Sequence, residues 1–431
     1  MTARQLLLAL CLFLCTQFAH AGPRIERWQT TAGNRVLFVE DHSLPIIDIQ
    51  VDFAAGAARE PMGLEGVAGL TRALIDLGAD GLDETQIASR FADLGARLSG
   101  GVDLDRASLT LRTLSMADKR APAFELFRAI IAGPTFPAAA FDREKARSLA
   151  ALKEALTRPD AIASKAFWAA MYPAHPYGRQ ATPESLTALR RDDVLAFYAA
   201  HYGARSATIA IVGDLSHAEA KAVAERLSGG LPAAAAVAEL PQPQLPAGGE
   251  QRIAHPAAQA HLLIGMPALQ RGDPDFFPLA VGNYTLGGGG FVSRLVKEVR
   301  DKRGLAYSVH SYFLPLQQLG PFQIGLQTHK GQTAEALQVT RAVLAEFLAR
   351  GPSEAELLAA KKNLIGSFPL RLDSNRKILE NVAMIAFYDL PLDYLDRYSE
   401  NVERVTAAEI QAAFARRLPA AHLVTVVVAG D

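Results

Sequence analysis

Thr208-Ile209-Ala210-Ile211-Val212-Gly213-Asp214 is answered at the far end of the chain by Val424-Thr425-Val426-Val427-Val428-Ala429-Gly430-Asp431. Both are apolar, β-branched runs that stop at Gly-Asp, and the two aspartates stand 217 positions apart. At that offset Phe197 falls on Phe414, inside a helical pattern in each copy. One repeat of this length implies a duplicated domain, because solenoid arrays repeat every 20–50 residues or so. At 431 residues the chain is also too long for one hydrophobic core.

Between the copies lies a stretch that reads as a linker, residues 229–249. It carries an alanine run, then Pro241, Pro243 and Pro246, then Gly248-Gly249. Proline so closely spaced excludes a helix or a sheet interior and favours an extended, semi-rigid connection. The expected units are 22–228 and 250–431. Each mixes strands and helices. Ile47, Ile49, Val51 and Phe53 alternate with Asp48, Gln50 and Asp52, the period of a strand with one buried face. Val67, Leu70, Leu74 and Leu77 make one helical stripe. Ser216 with Glu219, Ser353 with Glu356 and Thr406 with Glu409 are capping boxes. Strands polar on one side, and helices to cover the other, give an α+β fold of two tandem homologous domains.

The first 21 residues read as a leader. Arg4 precedes the apolar run Leu6–Cys15, no acid occurs before Glu26, and Ala19-His20-Ala21 supplies a small-x-small cleavage pattern. The run is too short to cross a bilayer. Cleavage after Ala21 leaves 410 residues and no cysteine, since Cys11 and Cys15 both lie in the leader. No disulfide or cysteine-ligated metal is then possible. The expectation is an exported, periplasmic protein with no membrane span. The charge, 44 basic against 45 acidic residues, offers nothing to nucleic acid.

Motifs for chemistry are few. None of the histidines forms H-x-x-E-H, H-E-x-x-H or H-x-H. His175, ahead of a Pro-Tyr-Gly turn, and His255 and His261 read as structural. Asp103 and Asp105, beside Gly100-Gly101, read as solvated carboxylates. No G-x-S-x-G elbow occurs. Gly287-Gly288-Gly289-Gly290 lacks the Gly-Lys-Ser/Thr ending of a phosphate loop and reads as a flexible loop or a plain connection. Beyond it Ser293–Lys302 reads as a short helix that Gly304 stops, followed by a strand from Leu305. Across that corner Arg300 and Tyr307 could converge on one cavity. Both are donors suited to a carbonyl oxygen or oxyanion, but taken bare a surface Arg near a helix C-terminus and an interface Tyr are the better reading.

These residues, Gly287–Gly290, Ser293-Arg294-Leu295, Arg300 and Gly304-Leu305-Ala306-Tyr307, resemble the C-terminal half of the pitrilysin/insulinase metallopeptidases, which include the mitochondrial processing peptidases. Pro176-Tyr177-Gly178, Phe197-Tyr198 with Tyr202, Val212-Gly213-Asp214 and Leu390-Pro391-Leu392-Asp393-Tyr394 extend the resemblance in order over nearly the whole chain. It implies a metallopeptidase-like, LuxS-type fold with a mostly antiparallel sheet covered by helices in each domain. Active members bind zinc through H-x-x-E-H and a later Glu, with the Glu between the histidines as general base. Here the histidine positions fall on Gly69 and Ala73, the base on Arg72, and the later acid on Ala150 or Ala151. No histidine occurs between His42 and His175, so a small shift restores nothing.

The resemblance also implies that an Arg and a Tyr seven apart reach the substrate carbonyl, the spacing of Arg300 and Tyr307, and that the glycines line the chamber. Some members are heterodimers with zinc in one chain. The reading is therefore a chain with no metal of its own. Its partner would be a homologous subunit holding Zn2+, and its substrates unfolded or short peptides. The alternatives are an inert structural or peptide-binding member and, least favoured, an autonomous peptidase with a relocated metal.

Overall fold

The computed structural model describes residues 22–233 and 237–430; the expected leader, three linker residues and Asp431 lie outside them. The first sheet is built from β1 (Glu26–Gln29), β2 (Arg35–Glu40), β3 (Ile46–Phe53), β4 (Arg97–Val102), β5 (Ala107–Leu114) and β6 (Ala207–Gly213), in the order β1-β2-β6-β3-β5-β4. The second has β7 (Gly249–Ala254), β8 (Gln259–Leu269), β9 (Val309–Phe313), β10 (Gly320–His329) and β11 (Val424–Ala429), in the order β9-β10-β8-β11-β7. Each sheet is antiparallel except at one pairing, β2 with β6 and β7 with β11. The two quoted β-branched runs are β6 and β11, the parallel partners in both sheets. They are apolar on both faces because both faces are covered.

One face of each sheet carries its own helices. Those used below are α1 (Val67–Leu74), α2 (Ala138–Ala155), α3 (Pro159–Met171) and α4 (Arg191–His201), then α5 (Asn375–Tyr388) and α6 (Ala407–Arg417). Phe197 on α4 and Phe414 on α6 sit in the two equivalent cores, as the offset requires. The three capping boxes form, the hydroxyl of Ser216, Ser353 and Thr406 each accepting from the amide three residues on.

The other face of each sheet is covered by a helix from the opposite half. α3 lies on β8 and β11; α5 lies on β2, β3 and β6. Shifted by the repeat, α3 falls on α5, so the exchange is reciprocal. Under α5, Leu37, Val39, Ala210 and Val212 meet Leu379, Val382, Ala383 and Ala386. Under α3, Val424, Val426 and Val428 meet Ala163, Phe167 and Met171. Gly265 on β8 has no room for a side chain, since a β-carbon there would lie 2.0 Å from the Phe322 carbonyl oxygen of β10 and 3.0 Å from Phe167 Cζ.

This exchange corrects two expectations. The polar face of β3 is not solvated: Asp48 is 2% exposed and Asp52 1%. Asp48 takes a two-pronged bond from Arg112 at 2.7 and 2.8 Å, and Asp52 pairs with Arg106 at 2.9 Å. Burial outweighs that attraction and pushes the Asp52 carboxyl up to about 6. Asp105 is fully buried rather than solvated. It accepts from Tyr177 Oη (2.6 Å), from Tyr388 Oη at the end of α5 (2.9 Å) and from the Gln317 amide (2.8 Å). Burial pushes its carboxyl upward against those bonds. The connection between the halves is bound down too: Leu240 is buried, and the Leu240 and Pro241 carbonyls bond Gln318 and His175.

Because each half finishes the other's sheet, Phe167→Ala should move a single unfolding transition of the whole chain to lower denaturant, by about 3–5 kcal/mol. Circular dichroism through a urea series checks it. A half-amplitude transition that stays at the wild-type midpoint would show that the halves fold independently.

Candidate functional site

Two places carry the residues singled out from sequence. On α1, Val67, Leu70 and Leu74 are buried, so the stripe points inward and Gly69 and Ala73 face solvent. A β-carbon at Gly69 would meet nothing within 4 Å. α2 packs beside α1, with Leu149 and Leu152 against the core and Ala150 and Ala151 exposed. The fold thus brings together the two helices that the resemblance assigned to the zinc site, and those four positions offer only hydrogen or methyl groups. Arg72 is turned to another task. Its Nε donates to the Ser108 carbonyl of β5 at 3.0 Å, and Nη1 lies 3.5 Å from Asp76. A cation stands where a base would be needed. Zinc does not fit these residues. Among the described residues no three His, Cys, Asp or Glu side chains are grouped to hold a metal.

The start of α1 has a titratable support that sequence reading missed. Glu60 is buried, and one carboxylate oxygen accepts from the Gly66 and Ala68 amides at 3.0 and 2.9 Å. Burial pushes its carboxyl up to about 7 despite both bonds.

The second place is the glycine segment. The helix Phe276–Asn283 runs into a π turn, Tyr284–Gly288. A second π turn, Val296–Asp301, replaces most of the expected short helix; such turns recur at functional sites. The glycines are not uniformly free. Gly287 is buried, and a β-carbon there would strike Ser311 Oγ at 2.4 Å. Gly288 and Gly289 sit as tightly over Asn283 and Tyr284, whereas Gly290 is open and left-handed. Three of the four therefore serve close packing, which corrects the flexible-loop reading. Arg294 anchors the segment by a two-pronged bond to Glu356 and a bond to the Gly351 carbonyl.

Gly304, at φ +63, turns the chain as expected, but the strand begins only at Val309. Tyr307 is consequently on a loop and 88% exposed. Arg300 and Tyr307 meet on the exposed surface rather than in the expected cavity: the guanidinium lies over the Tyr307 ring at 5.4 Å. It also lies over the Phe291 ring at 4.9 Å, and Phe291 is 72% exposed. Such contacts contribute about 0.5–1 kcal/mol each at exposed sites. Phe291 was not found from sequence, since a lone aromatic after glycines has no signature. His175 and His255 accept backbone amides and bond carbonyls, as expected of structural histidines. His261 lines a cavity of about 200 Å3 with Trp168, Ser308, His310 and Tyr312.

With this geometry in view, comparison with known proteins is decisive. Residues 35–183 match the insulinase family, peptidase family M16, and residues 188–364 match its "peptidase M16 inactive domain". The crystal structure of a peptidase M16 inactive domain from Pseudomonas fluorescens is 37% identical, with TM-score 0.91, over 94% of this chain and 98% of that one. The chain belongs to peptidase family M16. A non-peptidase homolog of Helicobacter pylori, YmxG, is 24% identical over 87% of both chains. An uncharacterized zinc protease of Streptomyces coelicolor is 32% identical over 214 residues, so the match spans 45% of that relative. The periplasmic protease PqqL of Escherichia coli shares the fold, with TM-score 0.78 over 96% of this chain and 46% of that one. Together with the missing ligands, these place the chain among the M16 members that lack the zinc motif.

Restoring Gly69→His, Arg72→Glu, Ala73→His and Ala150→Glu should create a site that takes up about one zinc per chain, read by calorimetric titration. Failure of that variant and of its Ala151→Glu counterpart would show that α1 and α2 do not frame the M16 metal position. Glu60 makes a second prediction. Its folded-state carboxyl holds a proton more tightly than an ordinary Glu, so stability falls as pH rises from about 4.5 to about 7 and levels off above. Glu60→Gln keeps the accepting oxygen and cannot ionise. Thermal melts across that window should be flatter in the variant, and an unchanged slope would remove Glu60 as the cause.

Proposed function

We propose that this M16 chain is the zinc-free subunit of an exported heterodimeric peptidase. The single observation that carries the reading is the Phe291–Arg300–Tyr307 stack on the surface, in a chain whose own zinc positions bear no ligand. Arg300 supplies a permanent cation, and Tyr307 a hydroxyl; both can donate to a peptide carbonyl as it becomes an oxyanion. Water activation would come from a homologous subunit holding Zn2+. Unfolded or short peptides would be bound between the two chains. That placement makes the Arg–Tyr pair act in trans and gives an otherwise costly exposed aromatic cluster a use.

Export is supported by the Arg4–Ala21 leader pattern and by the periplasmic M16 relative; no helix among the described residues is long and apolar enough to cross a membrane. Purified with an H-x-x-E-H homologue from the same cell, the pair should cleave an unfolded peptide. Arg300→Ala should lower kcat about 100-fold or more, as loss of an oxyanion donor does, and Tyr307→Phe should lower it as well. If both variants assemble with unchanged kcat, the pair has no catalytic part and the chain is a structural or peptide-binding member.

A further inference from the structure

The backbone nitrogen of Gly22 lies 2.8 Å from Oδ1 of Asp396. Gly22 is the residue that removal of a leader ending at Ala19-His20-Ala21 would place first. We propose that this cleavage is itself a structural step: it turns the Gly22 amide into a free α-ammonium, which pairs with the Asp396 carboxylate and clasps the N-terminal arm of the first half to the second half. The inference rests on the leader reading and is independent of any partner peptidase.

Three observations support it. The contact bridges the halves, because the arm leads into β1 of the first sheet while Asp396 follows α5 of the second half. Pro23 follows and has no N–H, so the residue-22 nitrogen is the last donor before Arg24. Gly22 and Pro23 also wall an apolar cavity of about 650 Å3 with Phe368, Leu372, Ile378 and Leu395. The contact therefore holds two residues that wall this cavity. Hydrolysis of the Ala21–Gly22 peptide bond by water yields a carboxylate on the departing leader and an amine on Gly22. Protonated at neutral pH, that amine makes a charge-assisted bond in place of a neutral one.

Two mature chains test this, one with a free Gly22 amine and one acetylated there, each as wild type and as Asp396→Asn. The readout is hydrogen exchange of the β1 amides, Glu26–Gln29. In the wild type, acetylation should speed exchange about two- to fivefold, the range expected of an exposed ion pair; in Asp396→Asn it should change nothing. Acetylation acting equally in both backgrounds, or in neither, would overturn the clasp. N-terminal sequencing of the exported protein should begin at Gly22, and any other start would overturn it too.

Discussion

The reciprocal exchange of α3 and α5 constrains everything else in this protein. A sheet with two apolar faces needs two covers, and each half supplies only one of its own. β6 and β11 read as unbroken β-branched runs because the second cover arrives from the other half. Where α5 ends, Asp105 receives Tyr388, Tyr177 and the Gln317 amide at once. A buried carboxylate with three donors is satisfied; with any one removed it is a desolvated group left short. The two halves are therefore joined at that point by buried hydrogen bonds as well as by apolar contact.

On the proposed reading, one half carries the metal positions and the other the Arg–Tyr pair. Here the first half keeps the helices but presents glycine, alanine and a cation. The second keeps Arg300 in a stack with Tyr307 and Phe291. Loss of ligands alone would be consistent with drift toward an inert protein. A cation between two exposed rings, on a loop whose base is anchored by Arg294 and Glu356, is the feature on which the proposed peptide contact rests.

Much of this was legible in the residues. The duplication, the capping boxes, the α+β alternation and the Gly304 turn depend on local patterns or on the repeat, and sequence records both directly. The nearness of Arg300 and Tyr307 was readable because they stand seven positions apart with a glycine turn between them, though their exposure was not. What was not legible comes from distant partners. Asp48 and Asp52 alternate like a wet face, yet α5, more than 300 residues on, covers them. Asp105 looks like a turn residue until Tyr388 and Gln317 reach it. Three of the four glycines answer to steric contacts with Ser311, Asn283 and Tyr284 that no local pattern announces.

The most direct test of the account is metal analysis of the isolated native chain, purified without chelator and offered zinc and an unfolded peptide. The account predicts no stoichiometric metal and no cleavage. One tightly held zinc per chain, with turnover that a chelator abolishes, would contradict it.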